Sequence, residues 1–531
     1  MSHSHIVLIT IGTILLGSCG SNSVSQRSGR KAEGAESSNT DRAQNDQSNN
    51  NLETYNSVYQ VFNPTYKIDP KSNISPETLA AVFPIHRNDG SQVATLIDGA
   101  SRFAARAQMI DKAKISIRIQ SFIIKGDESG YIIADKLIAA KRRGVNVRIL
   151  IDPVINGKLD DHRMFYYLQR NDIKIEGYEF LYQNFISSLT QDRTFDETLQ
   201  DANMRYHEKL FIVDAENPST ASAIIGGANI ANEYFYVDKE NPAKMWRDQD
   251  VVVKGPIVKD LLNSFEWTYQ EFLNEKIRKN MQSFESLSAI MNLPFIPNAG
   301  PTNQRPAIVS RLKAIEVAPL NLNWQPALMR FLHSRPRQKE DLIAPVYLDM
   351  IEKSTSSISI VNAYFVPDSD MIAALTRAVA RGVKVKIVTN HLAAQEIEAL
   401  GHVSRSTYQA LMSANSGDFT GGRLDIYEWG SDLILKNGEG QNHAKYAIFD
   451  GKAALVGSYN IDPRSRYLNG ETIVAFENQN SVGELIKITE SFLAPSLSIL
   501  VSKENAALYA NPSGVQAKLK QQFWNLFAPY L

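Results

Sequence analysis

The sequence predicts an α/β protein of two similar α/β/α halves, packed face to face about a pseudo-twofold axis with a site at their junction. Three observations predict this. An eight-residue phrase occurs twice, as His207-Glu208-Lys209-Leu210-Phe211-Ile212-Val213-Asp214 and as His443-Ala444-Lys445-Tyr446-Ala447-Ile448-Phe449-Asp450. Each copy is followed by a related turn, Gly226-Gly227-Ala228-Asn229 and Gly457-Ser458-Tyr459-Asn460. Each copy is also preceded by a strand–helix–strand pattern, and strands joined through a helix pair in parallel. A repeat of this length organises the whole chain, and the junction of two repeats is a usual place for a cleft.

At the N-terminus, Ile6 to Leu16 form an apolar run too short to span a bilayer. Leu16-Gly17-Ser18-Cys19 follows it, and Cys19 is the single cysteine, so no internal disulfide can form. This stretch resembles the lipobox of bacterial lipoprotein signal peptides. The resemblance implies cleavage after residue 18, acylation of Cys19 and a lipid-anchored place in the bacterial cell envelope. Gly20, where Asp would signal retention, implies the outer membrane or the periplasmic face. The start Met-Ser-His-Ser-His lacks the Lys or Arg such signals normally carry. From Gly20 to about Asn51 the chain is Ser, Asn, Gln, Gly and mixed charge. Such a stretch buries too little to fold, and 19–75 is expected to be a disordered tether.

Core patterning begins near Leu79, and 76–290 is read as the first half. Ile115 to Ile119 alternates as a strand does, Tyr131 to Lys141 is helical, and Arg143-Gly144-Val145 ends the helix on a glycine. Val147 to Ile151 is the next strand, and the His–Lys phrase comes later, on a third. Pro- and Asn-rich sequence between about Leu293 and Pro336 marks a connector, set at 291–340. The second half, 341–531, repeats the order: strand Ile358–Val361, helix Met371–Ala380, stop Arg381-Gly382-Val383, strand Val385–Val388. The aromatic tail Phe523–Leu531 suits either the protein's own core or a bilayer interface.

Hydrophobic residues make up 43% of the chain and charged ones 21%, a balance that supports a folded globular core. The net charge of −1 excludes affinity built on a broadly basic nucleic-acid surface, while leaving room for a local cationic pocket.

On a strand, residues i and i+2 share a face, so His207 projects with Lys209 and His443 with Lys445. Cleaving a phosphodiester needs a nucleophile, a proton donor for the leaving oxygen and positive charge around the remaining oxygens. Two histidines divide the first two tasks. Lys209, Lys445, Asn229 and Asn460 can hold the non-bridging oxygens. Asp214 and Asp450 close their strands near turns and read as structural rather than chemical. No cofactor or metal is required by this chemistry.

The paired motif resembles the phospholipase D superfamily, whose members carry two HKD motifs. The resemblance covers the chain from about Ala81 to its end. It implies that one motif histidine forms a phosphohistidine while the other protonates the leaving alcohol, with His207 as nucleophile and His443 as acid and base. Residues 224–230 with Glu233-Tyr234-Phe235, Arg247-Asp248-Gln249-Asp250, 457–465 and Asn469-Gly470-Glu471 resemble the bacterial cardiolipin synthase-like branch. That branch implies Asp248 and Glu471 as the carboxylates that orient the imidazoles, with Asp250 the rival of Asp248. Glu208 departs from the Asn usual after the first histidine. His391 stands where the family usually has Ser, and His402 matches a family histidine, so both are candidates to touch substrate. His86, His162 and His333 read as incidental.

The resemblance implies a phosphatidyltransferase of the cardiolipin synthase kind, acting on phospholipid at a membrane surface. The alternatives are a hydrolytic phospholipase D that releases phosphatidic acid, and a nucleic-acid phosphodiesterase, which the charge balance disfavours. No nucleic-acid partner is expected. An internally duplicated chain completes its own site, so an oligomer is not required.

Overall fold

The structure, a computed structural model, describes residues 57–68, 75–152, 155–156, 158–177, 204–278, 301, 304–416, 421–514, 518–520 and 522–524. These lie in one compact unit, 57–192 with 203–531. The expected signal peptide, Cys19 and the tether up to residue 56 fall outside the described residues.

The first strands in chain order are β1 (Ile85–His86), β2 (Gln92–Leu96), β3 (Ser116–Ser121), β4 (Asn146–Ile151), β5 (Lys174–Glu176), β6 (Arg205–Tyr206), β7 (Leu210–Val213), β8 (Ser222–Gly226) and β9 (Asp250–Lys254). They are followed by β10 (Gln325–Pro326), β11 (Leu328–Ser334), β12 (Ser357–Asn362), β13 (Lys384–Asn390), β14 (Arg423–Trp429), β15 (Lys445–Phe449), β16 (Ala453–Gly457), β17 (Asn469–Glu477) and β18 (Ser498–Leu500). Among the described residues they form an eight-stranded sheet, β10-β2-β9-β8-β7-β3-β4-β5, and a ten-stranded sheet, β1-β11-β17-β16-β15-β12-β13-β14-β18, with β6 on β17. The order β2-β9-β8-β7-β3-β4-β5 in one sheet is the order β11-β17-β16-β15-β12-β13-β14 in the other. The two halves therefore share one topology.

Within each half the strand–helix–strand unit is parallel, β3 with β4 and β12 with β13. The helices between them run Glu128–Arg142 and Ser369–Ala380. Each is started by an aspartate, Asp127 or Asp368, whose carboxylate accepts from a first-turn amide and satisfies a donor the helix cannot. Both stop at Gly144 and Gly382, at φ +95° and +96°, where a side chain would be strained. The following strands β7 and β15 are buried along their whole length, as expected between layers of helix. Each pairs antiparallel with β3 or β12 and aims its N-terminal end at the seam between the halves.

Three sequence expectations need correction. Residues 57–68 are not tether: Tyr59, Val61, Phe62 and Ile68 are buried. The Arg330 guanidinium donates to the Val61 carbonyl at 2.8 Å, and the Tyr59 hydroxyl to Asp450 at 3.1 Å. The low-complexity composition ends at about Asn51, and these aromatic and apolar side chains give the chain surface to bury. The span 291–340 is more than a connector. It holds the helix Pro306–Glu316 and also β11, an interior strand of the second sheet. Arg330 and His333 break up the apolar run of β11 in sequence, yet both are buried with partners. Finally, β1 pairs with β11, so the chain touches the second sheet before it builds the first. In the C-terminal tail, Trp524 packs on a cluster of Ala363, Tyr364, Val366, Leu400 and Val403.

Candidate active site

His207 and Lys209 stand just before β7 rather than within it, while Lys445 opens β15. The backbone at both mouths is sewn to the other half. The His207 amide donates to the Gly470 carbonyl at 3.0 Å, and the His443 amide to the Arg247 carbonyl at 2.6 Å. Each of these carbonyls belongs to the residue just before an expected orienting carboxylate.

The carboxylates cross over. Glu471, from the second half, meets His207 Nδ1 at 2.9 and 3.0 Å through its two oxygens. Asp248, from the first half, meets His443 Nδ1 at 2.7 Å. Glu471 is itself held by the Ser458 hydroxyl at 2.5 Å and the Ser465 hydroxyl at 2.8 Å. Asp248 accepts from the Gln249 amide at 2.7 Å. The Gly226-Gly227 turn is explained here: a Cβ on Gly227 would lie 2.2 Å from Asp248 Oδ1. A carboxylate on Nδ1 fixes the tautomer and leaves Nε2 available for chemistry.

The lysines complete the centre. Lys209 Nζ donates to the His207 carbonyl and Lys445 Nζ to the His443 carbonyl, each at 2.5 Å. Lys445 Nζ also stands 3.1 and 3.3 Å from the two His443 ring nitrogens. Both imidazoles are pulled well below their usual range, first by burial and then by the two lysines. His207 is among the charges that depress His443, so the two rings share one electrostatic neighbourhood. Burial pushes Asp248 up to about 6 and Glu471 up to about 7, and draws Lys209 and Lys445 down to about 7 and 8. A phosphate anion entering beside the lysines would add opposite charge to that of Glu471 and Asp248, favouring charged lysines and an imidazolium.

The other sequence candidates divide clearly. Asp214 and Asp450 lie at the far ends of their strands, at φ +51° and +52°. Asp214 accepts from the amides of Lys114, Ile115 and Ser116, and Asp450 from those of Thr355, Ser356 and Ser357. They tie strand ends together and are not part of the histidine cluster. Asn229 donates to the Tyr234 hydroxyl at 2.8 Å and accepts from the Ile123 amide at 3.1 Å. Asn460 is buried, and its Oδ1 has no hydrogen-bond partner. Asp250 pairs with Arg106 at 2.8 Å and accepts from the Ala228 amide, which separates it from its rival Asp248. Glu208 is buried against Gly470, where a Cβ would lie 2.5 Å from its Oε1, and burial pushes its carboxyl up to about 7. His402 meets Glu398 at 3.2 Å, and His391 caps its own turn by accepting from the Ala393 amide. Neither is in contact with the paired histidines.

Sequence reasoning missed the aromatic surround. Phe122 meets His207 edge-on at 4.8 Å, and Trp246 stacks on His443 at 5.7 Å. Trp246, just before Arg247-Asp248, carried the available signal. Phe122 had none, since it follows a strand like any core residue. Among the described residues no group of three or more His, Cys, Asp or Glu side chains is placed to hold a metal ion, and no helix is long and apolar enough to cross a membrane.

A family model described as "Cardiolipin synthase, PLD-like domain" matches residues 107–269 and 347–493, more than half of the chain. Cardiolipin synthase C of Escherichia coli (strain K12) is 27% identical over 438 residues, covering 76% of this chain and 85% of that protein. A cardiolipin synthase of Geobacillus thermodenitrificans (strain NG80-2) is 25% identical over 403 residues, 75% of this chain and 65% of that one. In fold, the chain resembles the crystal structure of phosphatidylserine synthase from Haemophilus influenzae Rd KW20. The TM-score is 0.55 at 16% identity, over 83% of this chain and 95% of that one. The chain belongs to the phospholipase D superfamily, in the family of cardiolipin synthase PLD-like domains, a family of phospholipid-modifying enzymes.

Proposed function

We propose that the protein is a phosphatidyltransferase that moves a phosphatidyl group from one phospholipid to the alcohol of another, as in cardiolipin synthesis. The observation that carries this reading is the crossed pair of carboxylates, which gives the chain two oriented imidazoles at one seam. In the first step His207 Nε2 attacks phosphorus and the bond to the headgroup oxygen breaks. That oxygen takes a proton from His443. In the second step His443 removes the proton of an acceptor hydroxyl, whose oxygen attacks phosphorus. The P–N bond breaks, and His207 returns to its starting state. Lys209 and Lys445 neutralise the non-bridging oxygens throughout, and Asn229 and Asn460 are further amide donors offered to the same oxygens. A lipid anchor on Cys19 would hold the enzyme at the envelope membrane, where its substrate is concentrated.

The test is purified protein with vesicles of defined phospholipid. Cardiolipin with released glycerol supports transfer. Phosphatidic acid with free headgroup, and no transfer product, contradicts it in favour of hydrolysis. Cleavage of DNA alone overturns both.

A further inference from the structure

The reacting centre has unlike surroundings on its two sides. Beside His207 stand a single ring, Phe122, and the charge of Arg464 added to that of the two lysines. Beside His443 there is instead an aromatic wall of Trp246, Tyr234 and Tyr364, with ring centres 5.7, 5.2 and 6.4 Å away. Polar groups of both signs continue outward from that wall. The Tyr364 hydroxyl donates to Glu396 Oε2 at 3.3 Å, and Lys125 forms an ion pair with Glu233. Lys125 lies in the field of both Glu233 and Glu396, and after burial the same two charges push the Tyr234 phenol up. The two pairs therefore share one electrostatic neighbourhood beside His443. They also straddle the seam, with Lys125 and Glu233 from the first half and Tyr364 and Glu396 from the second.

Their backbones are tied to the residues around His443. The Trp246 amide donates to the Glu233 carbonyl at 2.8 Å, and the Glu396 amide to the Gln441 side chain at 3.1 Å, two residues before His443. Glu396 is exposed, and the side chains of Lys125 and Glu233 are 22% and 15% exposed. The cluster thus runs from the buried Tyr364 beside the ring to the exposed Glu396.

We propose that Lys125, Glu233, Tyr364 and Glu396 form a hydroxyl-reading site that seats a polyol headgroup against His443. The proposal rests on the function argued above, in which His443 serves the leaving and accepting alcohols. A hydroxyl both donates and accepts, a carboxylate only accepts and an ammonium only donates. Neighbouring hydroxyls on one headgroup can therefore satisfy Glu396 and Lys125 together. An ammonium headgroup can donate to Glu396 but sets like charge against Lys125, whereas neighbouring hydroxyls serve both. A plain alkanol offers its single hydroxyl to the ring and none to Glu396 or Lys125, so it gains nothing from them.

The test is an internal competition. Vesicles of phosphatidylglycerol and the full-length protein receive equal concentrations of labelled glycerol, propan-1-ol and ethanolamine, and the three phosphatidyl products are quantified. All three arise from one intermediate, so their ratios do not depend on how much enzyme is folded. Wild type should favour glycerol over propan-1-ol. Glu396→Ala and Tyr364→Phe should each lower that ratio about tenfold, the scale of a hydrogen bond to a charged group. An unchanged ratio in both variants overturns the site. A fall confined to ethanolamine overturns it in favour of an ammonium site. Neither cardiolipin nor any of the three phosphatidyl products from wild type overturns the proposed function, and this site with it; cardiolipin without any of the three overturns the site alone.

Discussion

Each imidazole receives its orienting carboxylate from the other half of the chain, and that pairing sets the expected phenotypes. His207→Ala and His443→Ala should each abolish phospholipid cleavage. Lys209→Ala and Lys445→Ala should each cost about 3–4 kcal/mol of transition-state stabilisation, read as kcat/KM. Glu471→Gln and Asp248→Asn keep shape but lose the charge that fixes the tautomer. Each should lower kcat on the order of 10³- to 10⁴-fold while the thermal midpoint stays near that of wild type. Activity within tenfold of wild type in either would contradict the crossed arrangement. The two histidine–lysine pairs were legible in sequence because they recur at matched places of a repeat, whereas Asn229 and Asn460 were named from the repeated turn alone. The two carboxylates were reached through the family resemblance. Which carboxylate serves which histidine was not legible, because the partners lie 264 and 195 residues apart and meet only across the seam.

The strand–helix–strand units could be read from apolar period and a stopping glycine, since both signals are local. Strand β11 could not, because Arg330 and His333 interrupt its apolar run and only tertiary partners make them buriable. His333 gives this element a pH signature. It is packed under Phe83 and meets the Ser264 hydroxyl at 3.1 Å, and burial lowers its pKa to about 4. An imidazole that titrates near 6.5 when unfolded and near 4 when folded leaves the unfolded chain binding more protons in between. Stability from this site is therefore complete above about 6.5 and is lost as pH falls toward 4, by up to about 3 kcal/mol. His333→Asn should remove that slope. Denaturant melts between pH 4 and 7 would show the wild-type stability falling more steeply with acid than that of the variant. Parallel curves would contradict the assignment.

At the scale of the molecule, the duplication was visible as a repeated phrase and became two sheets of one topology. The N-terminal segment from Tyr59 to Ile68 was misjudged because its short apolar run follows a long low-complexity stretch. It docks on the second half near Asp450, at the opposite end of β15 from Lys445. With the lipobox reading, Cys19→Ser should move the protein from the membrane fraction to the soluble fraction and abolish palmitate labelling. Unchanged labelling would contradict the anchor. The central claim is that the two halves bring two histidines to one phosphorus atom, with His207 as the nucleophile. Rapid acid quench of enzyme and phospholipid, followed by peptide mass mapping, tests it most directly. A phosphatidyl adduct on the His207 peptide, absent from His207→Asn, is the predicted result. Turnover with no adduct on His207, or an adduct on a residue outside the pair, would contradict it.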